Sequence, residues 1–185
     1  MKILIISDEP PKQSILEVVS QDSGIELIIT LGDLYEFDIK ELKEIKNIPK
    51  IGVYGNHCSG VYFEEFGIKN MHLETFELNG ITFGGFEGCV RYKEKGRFQY
   101  TQDEAKELLE NFPKVDVFLS HCPPFGINYN NDEAHTGFEA IKEYIEKNKP
   151  KYVLHGHTYN KGNFVDKYLG TEIVYVKGAR VVEVG

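Results

Sequence analysis

Lys2-Ile3-Leu4-Ile5-Ile6-Ser7-Asp8 begins the chain with a β-branched apolar run that stops on a carboxylate. So short and unbroken a run is the pattern of a strand buried on both faces. Pro10-Pro11 breaks it, and residues 14–20 read as the helix that follows. The same grammar then repeats. Residues 26–31 form a second apolar run that ends in Gly32-Asp33, 39–45 are amphipathic, and 50–54 form a third strand ending in Gly55-Asn56-His57. Further on, 115–120 lands on His121, and 151–154 ends in His155-Gly156-His157. Strand, polar tip and helix in alternation predict an α/β sheet with its site at the strands' C-terminal ends.

Between these units the pattern changes. Residues 73–78 and 81–84 flank Asn79-Gly80, which suits a two-residue hairpin turn. Gly84-Gly85 and Gly88 mark backbone that must bend or approach something closely. Thr101 with Glu104 predicts a capping box opening a helix over 101–111. A loop rich in Pro, Gly and Asn runs from Cys122 to Glu133, and a helix is expected at about 137–148. The tail, 162–184, alternates as two or three antiparallel strands. No repeat, low-complexity segment or linker interrupts the 185 residues, so one domain over 1–185 is expected.

The balance of 29 acidic against 21 basic residues gives a formal charge of −8. Such a chain does not hold nucleic acid by its overall field; a local basic patch leaves that partner open without indicating it. Three cysteines, Cys58, Cys89 and Cys122, lack paired finger spacing and imply a reducing, cytoplasmic setting. The opening apolar run is too short for a signal peptide or a membrane span, so no membrane association is expected. Oligomeric state is not legible.

Asp8, Asp33, Asn56-His57, His121 and His157 each stand at the end of an apolar strand. If those strands share a sheet, the side chains converge on one edge. Mixed oxygen and imidazole donors suit a divalent transition metal such as Mn, Fe, Zn, Co or Ni better than magnesium or calcium alone. An aspartate between two ions about 3.5–4 Å apart can bridge them while the pair holds a hydroxide and clamps a phosphate.

The ordered set Asp8-Glu9-Pro10, Gly32-Asp33, Gly55-Asn56-His57-Cys58, Ser120-His121 and Gly156-His157-Thr158-Tyr159 resembles the calcineurin-like metallophosphoesterase superfamily, in particular its small archaeal and bacterial phosphodiesterase-like members. Ser120-His121-Cys122-Pro123-Pro124 and Ala134-His135-Thr136-Gly137 are similar to that subgroup too, and the likeness runs from Met1 to about Asn160. The resemblance implies a four-layer αββα sandwich, two mixed sheets flanked by helices, with the metal site at strand C-terminal ends. It implies hydrolysis of a phosphate ester, a phosphodiester in the first instance, by metal-activated water. Asp8, Asp33, Asn56, His121 and His157 would be the metal ligands, with His57 and Asp33 catalytic, and His57, His135 and Asn56 contacting a small phosphate-ester substrate. His57 would stabilise or protonate the leaving oxygen.

The sequence departs from the family pattern at two histidines. Pro10 stands at the first motif's histidine and Tyr159 at the last motif's second histidine. The resemblance implies that both lost imidazoles serve one metal position, which would keep Asp8 and the bridging Asp33. The other position is whole, with Asp33, Asn56, His121 and His157. One ion or two therefore stays open: the first position is empty, or holds a harder ion on Asp8, Asp33, Glu9 and waters, or recruits His155 or His135. Tyr159 could ligate only as a phenolate, against a reference pKa of about 10. His155 also reads as a hydrogen-bonded strand-end residue, and His135 as a polar group before a helix. Arg91, Lys93, Lys95 and Arg97 form a short basic cluster that reads as a solvated loop or as an attractor for a phosphorylated substrate. The alternative to an enzyme is a non-catalytic binding or scaffold module that retains the fold.

Overall fold

Alternate residues of each central strand fill different cores, and this produces the layering of the molecule. The computed structural model describes residues 1–129, 132, 134–159 and 164–185. The expected loop end at Glu133, the tail's start at Gly162, and the end of the family likeness at Asn160 lie outside the described residues. The first sheet has five strands: β1 (Lys2–Ser7), β2 (Ile25–Thr30), β3 (Lys50–Gly52) and β4 (Ile68–Asn70) run parallel in that order, and a C-terminal strand (Gly178–Glu183) is antiparallel to β1. The second sheet continues the chain with β5 (Thr75–Leu78) and β6 (Ile81–Phe86), and a small parallel pair, β7 (Cys89–Val90) and β8 (Gln99–Tyr100), follows. Then come β9 (Val117–Ser120), β10 (Tyr152–His155), β11 (Phe164–Tyr168) and β12 (Thr171–Tyr175), the C-terminal strand being β13. The six-stranded order is β11-β12-β10-β9-β6-β5, parallel from β12 to β6 with antiparallel edges.

Ile3 and Ile5 of β1 face the second sheet and join Leu27, Ile29 and Ile51 against Val117, Leu119, Leu154 and Val174. Leu4 and Ile6 face the other way, toward α1 (Ile15–Gln21), a 3-10 turn (Lys40–Lys43) and α2 (Phe63–Phe66). On the far side of the second sheet, Phe118, Val153 and Ile173 pack on Ala105 and Leu109 of α3 (Gln102–Leu109) and on Ile141 and Ile145 of α4 (Glu139–Asn148). Helix, sheet, sheet and helix is the αββα sandwich that the resemblance implied. It also explains the unbroken apolar runs, since no face of a central strand meets water.

Local chemistry sets the element ends. Thr101 accepts from the Glu104 N–H while the Glu104 carboxylate takes the Thr101 N–H, closing the expected capping box. Asn79 and Gly80 both have positive φ (52° and 77°), as a type I′ hairpin turn requires. The amphipathic stretch 39–45 makes only one 3-10 turn. Pro49 has no N–H to offer the Ile45 carbonyl, and the buried Lys50 ammonium serves it and the Leu42 carbonyl (3.1 Å) instead. The tail gives three strands, as expected, divided between the sheets: β11 and β12 form a hairpin in the second, and β13 crosses to the first. Among the described residues no helix is long and apolar enough to cross a membrane.

Candidate metal centre

The parallel strands of both sheets end on the same edge, and their tips meet there. Asp33 follows β2, Asn56 and His57 follow β3, His121 follows β9, and His157 lies two residues beyond β10. Two tight backbone approaches bring these tips together. A Cβ on Gly55 would lie 2.2 Å from Asp33 Oδ1, and one on Gly156 would lie 2.1 Å from Ser7 Oγ and 2.4 Å from Asp8 Oδ2. Only glycine fits at either place.

Asp33, His121 and His157 each bring a ligand atom within 4.8 Å of the other two, and all three residues are buried. His121 Nε2 lies 3.3 Å from Asp33 Oδ2 and 3.1 Å from His157 Nδ1. The outer ring nitrogens are committed elsewhere: His121 Nδ1 donates to the Leu31 carbonyl (2.7 Å) and His157 Nε2 to the Ala134 carbonyl (2.8 Å). A carbonyl only accepts, so each outer nitrogen carries the ring proton. With both rings neutral, their inner nitrogens turn lone pairs toward each other and toward a carboxylate. That arrangement calls for a cation between them. Without a metal the cation is a proton: burial opposes charging His121, but the neighbouring Asp33 and Asp8 carboxylates overcome it and raise its pKa to about 9. Burial, and then the nearby His121 charge, drive His157 well below its ordinary value. Burial would raise Asp33, but His121 and the His57 N–H hold it far below the carboxylate range.

Asn56 lies between two residues that touch Asp33: Gly55, and His57, whose N–H donates to Asp33 Oδ1 (2.8 Å). Its Nδ2 donates to the Tyr92 hydroxyl (3.2 Å), whereas its Oδ1 is buried with no hydrogen-bond partner among the described residues. An orphaned amide oxygen on the residue between Gly55 and His57, both of which lie against Asp33, is the kind of oxygen donor that completes a mixed transition-metal set. The His57 ring itself is exposed at the rim.

The other site residues of the sequence reading are placed less uniformly. Asp8 receives the His157 N–H on both oxygens (3.0 Å each) and the Ser7 hydroxyl (2.9 Å). Burial raises its pKa to about 6, and it stands outside the three-residue cluster. Glu9 is exposed and turned to Lys177 (3.0 Å). Tyr159 donates to Asp33 Oδ2 (3.4 Å), and burial together with the Asp33 and Asp8 charges raises its pKa, so it stands as a neutral phenol. His135 lies against the His157 ring (centroids 4.5 Å apart), with Nδ1 on Asp132 (2.5 Å). His155 is fully buried beside Tyr175, its Nδ1 on the Gly156 carbonyl (2.9 Å), and burial lowers its pKa to about 4. Its Nε2 meets the Asn128 amide (3.2 Å) and so takes no part in the cluster. The residue missed by sequence reasoning is Tyr92, which lies inside the basic stretch and reaches Asn56 only through the fold.

Two packed mixed sheets whose strand ends gather two imidazoles and a carboxylate define an αββα protein with a candidate metal site at the strand tips. A model of the calcineurin-like phosphoesterase superfamily domain matches residues 1–185, and the chain belongs to that superfamily. Its members bind divalent metals and are generally hydrolases of phosphate esters, although some are non-catalytic. The fold is similar to TT1561 of Thermus thermophilus (TM-score 0.63, 18% identity, 96% of this chain and 89% of that one). It is also similar to the phosphopantetheinyl hydrolase PptH of Mycobacterium tuberculosis (TM-score 0.64, 13% identity, 96% and 89%). A third similar structure is a novel archaeal phosphodiesterase (TM-score 0.53, 15% identity, 96% and 84%). No curated protein matches the chain in sequence.

Proposed function

We propose that this chain hydrolyses a phosphate ester, in the first instance a phosphodiester, at a centre held by Asp33, Asn56, His121 and His157. The observation that carries this reading is the facing pair of inner imidazole nitrogens, 3.1 Å apart beside Asp33. A divalent transition metal bound there would supply Lewis-acid polarisation of a phosphoryl oxygen and a lowered pKa for water. Asp33 keeps its full charge at neutral pH and orients the His57 backbone. The exposed His57 ring at the rim assists the leaving oxygen as a general acid. His135, fixed through Nδ1 by Asp132, presents its other nitrogen to a phosphate oxygen. Asp8 keeps the first position weak and water-rich, because its oxygens already serve Ser7 and His157 and Glu9 is drawn off to Lys177.

A second reading, a non-catalytic binding module, is favoured by Tyr159, whose neutral phenol holds Asp33 Oδ2 where the family pattern has an imidazole. Turnover of bis-p-nitrophenyl phosphate with Mn, Ni, Co, Zn and Mg separates the two. Activity with a transition metal that is lost in both Asp33→Asn and His121→Ala is expected. A folded protein silent under every metal discards hydrolysis in favour of the binding module.

A further inference from the structure

We infer that Tyr92 is a positioning residue for Asn56 and that the buried Gln99 carboxamide holds it in place; the inference rests on the metal-centre reading above. Asn56 has a single amide, and its Nδ2 is spent on the Tyr92 hydroxyl at 3.2 Å. That contact fixes the plane of the amide and leaves Oδ1, buried and without a partner among the described residues, as the donor atom. An amide oxygen is a weak ligand, so its orientation decides how much it contributes, and a hydrogen bond to its other atom is the means of orienting it.

Tyr92 needs a rigid backbone to do this, and the structure supplies one. Gln99 Oε1 accepts the N–H groups of both Tyr92 (3.3 Å) and Lys93 (3.2 Å), and Gln99 itself is buried. Arg91 N–H donates to the Tyr100 carbonyl (2.9 Å), and its guanidinium reaches the Gln99 carbonyl (3.0 Å) and Glu104 (2.8 Å). The other limb of the loop is fastened by Arg97, which donates to the Ser59 carbonyl, two residues beyond His57. The stretch that read as a solvated basic loop is therefore tied at both ends beside Asn56 and His57. Lys93 lies over the Tyr92 ring (4.8 Å to the centroid), a contact that Tyr92→Phe preserves while removing only the hydroxyl.

Cobalt(II) titration of wild type, Tyr92→Phe, Asn56→Ala and the double variant tests this, with affinity by calorimetry and the ligand-field absorption as a second readout. Tyr92→Phe should bind on the order of 10-fold more weakly, the loss typical of an outer-sphere partner. Its cobalt spectrum should shift, its metal-free unfolding midpoint should stay close to wild type, and the loss should vanish in the Asn56→Ala background. Wild-type affinity and spectrum in Tyr92→Phe, or an equal loss with and without Asn56, overturns the role of Tyr92 alone. Wild-type protein that takes up no cobalt overturns this inference together with the metal-centre reading.

Discussion

Metal uptake by this protein should expel a proton. In the metal-free protein the space between His121 Nε2, His157 Nδ1 and Asp33 Oδ2 is held together by a proton on His121, whose pKa stands at about 9. A metal ion needs that same lone pair. Between pH 7 and 8.5 the apparent affinity should therefore rise about tenfold per pH unit, roughly 30-fold over the interval, with about one proton released per ion. Above about pH 9 the dependence should level off. The sign for stability is opposite. A histidine whose folded pKa exceeds its ordinary 6.5 stabilises the metal-free fold fully below that value and loses the contribution as pH rises through about 9. Calorimetry with Mn(II) in two buffers of different ionisation enthalpy counts the protons directly. No proton release and a flat affinity from pH 7 to 8.5 would refute the argument that the two imidazoles share a cation site.

Two further outcomes test how the fold builds the site. Gly156→Ala places a Cβ 2.1 Å from Ser7 Oγ and 2.4 Å from Asp8 Oδ2. It should cost roughly 1–3 kcal/mol in urea unfolding and displace His157, lowering metal stoichiometry with it. Thr101→Ala opens the capping box of α3 and should cost about 1 kcal/mol in urea unfolding.

Much of this was readable in the sequence because buried parallel strands leave an unbroken apolar signature. Residues 2–7 are β1 to the residue, and Asp8, Asp33, His121 and His157 stand at the strand ends as read. What escaped was short or non-local. α2 is four residues and β4 three, too brief for any period to show, and β7 with β8 contributes two residues each. The helix suggested at 39–45 contracts because of Pro49 and the Lys50 ammonium, a contact that periodicity does not encode. Within the site, residue types announced the donors but not their partners. Glu9 turns away because Lys177, from the other end of the chain, draws it off. Tyr92 lies within a charged stretch, and only the fold brings its hydroxyl to Asn56.

On the proposed reading, Asp33, Asn56, His121 and His157 enclose a single strong ion. Anomalous scattering from crystals grown without chelator and soaked in Mn(II) tests it most directly. The strongest peak should lie within bonding distance of His121 Nε2, His157 Nδ1, Asn56 Oδ1 and an Asp33 oxygen, with at most a weaker peak beside Asp8. A peak elsewhere, or none between the two imidazoles, would contradict it.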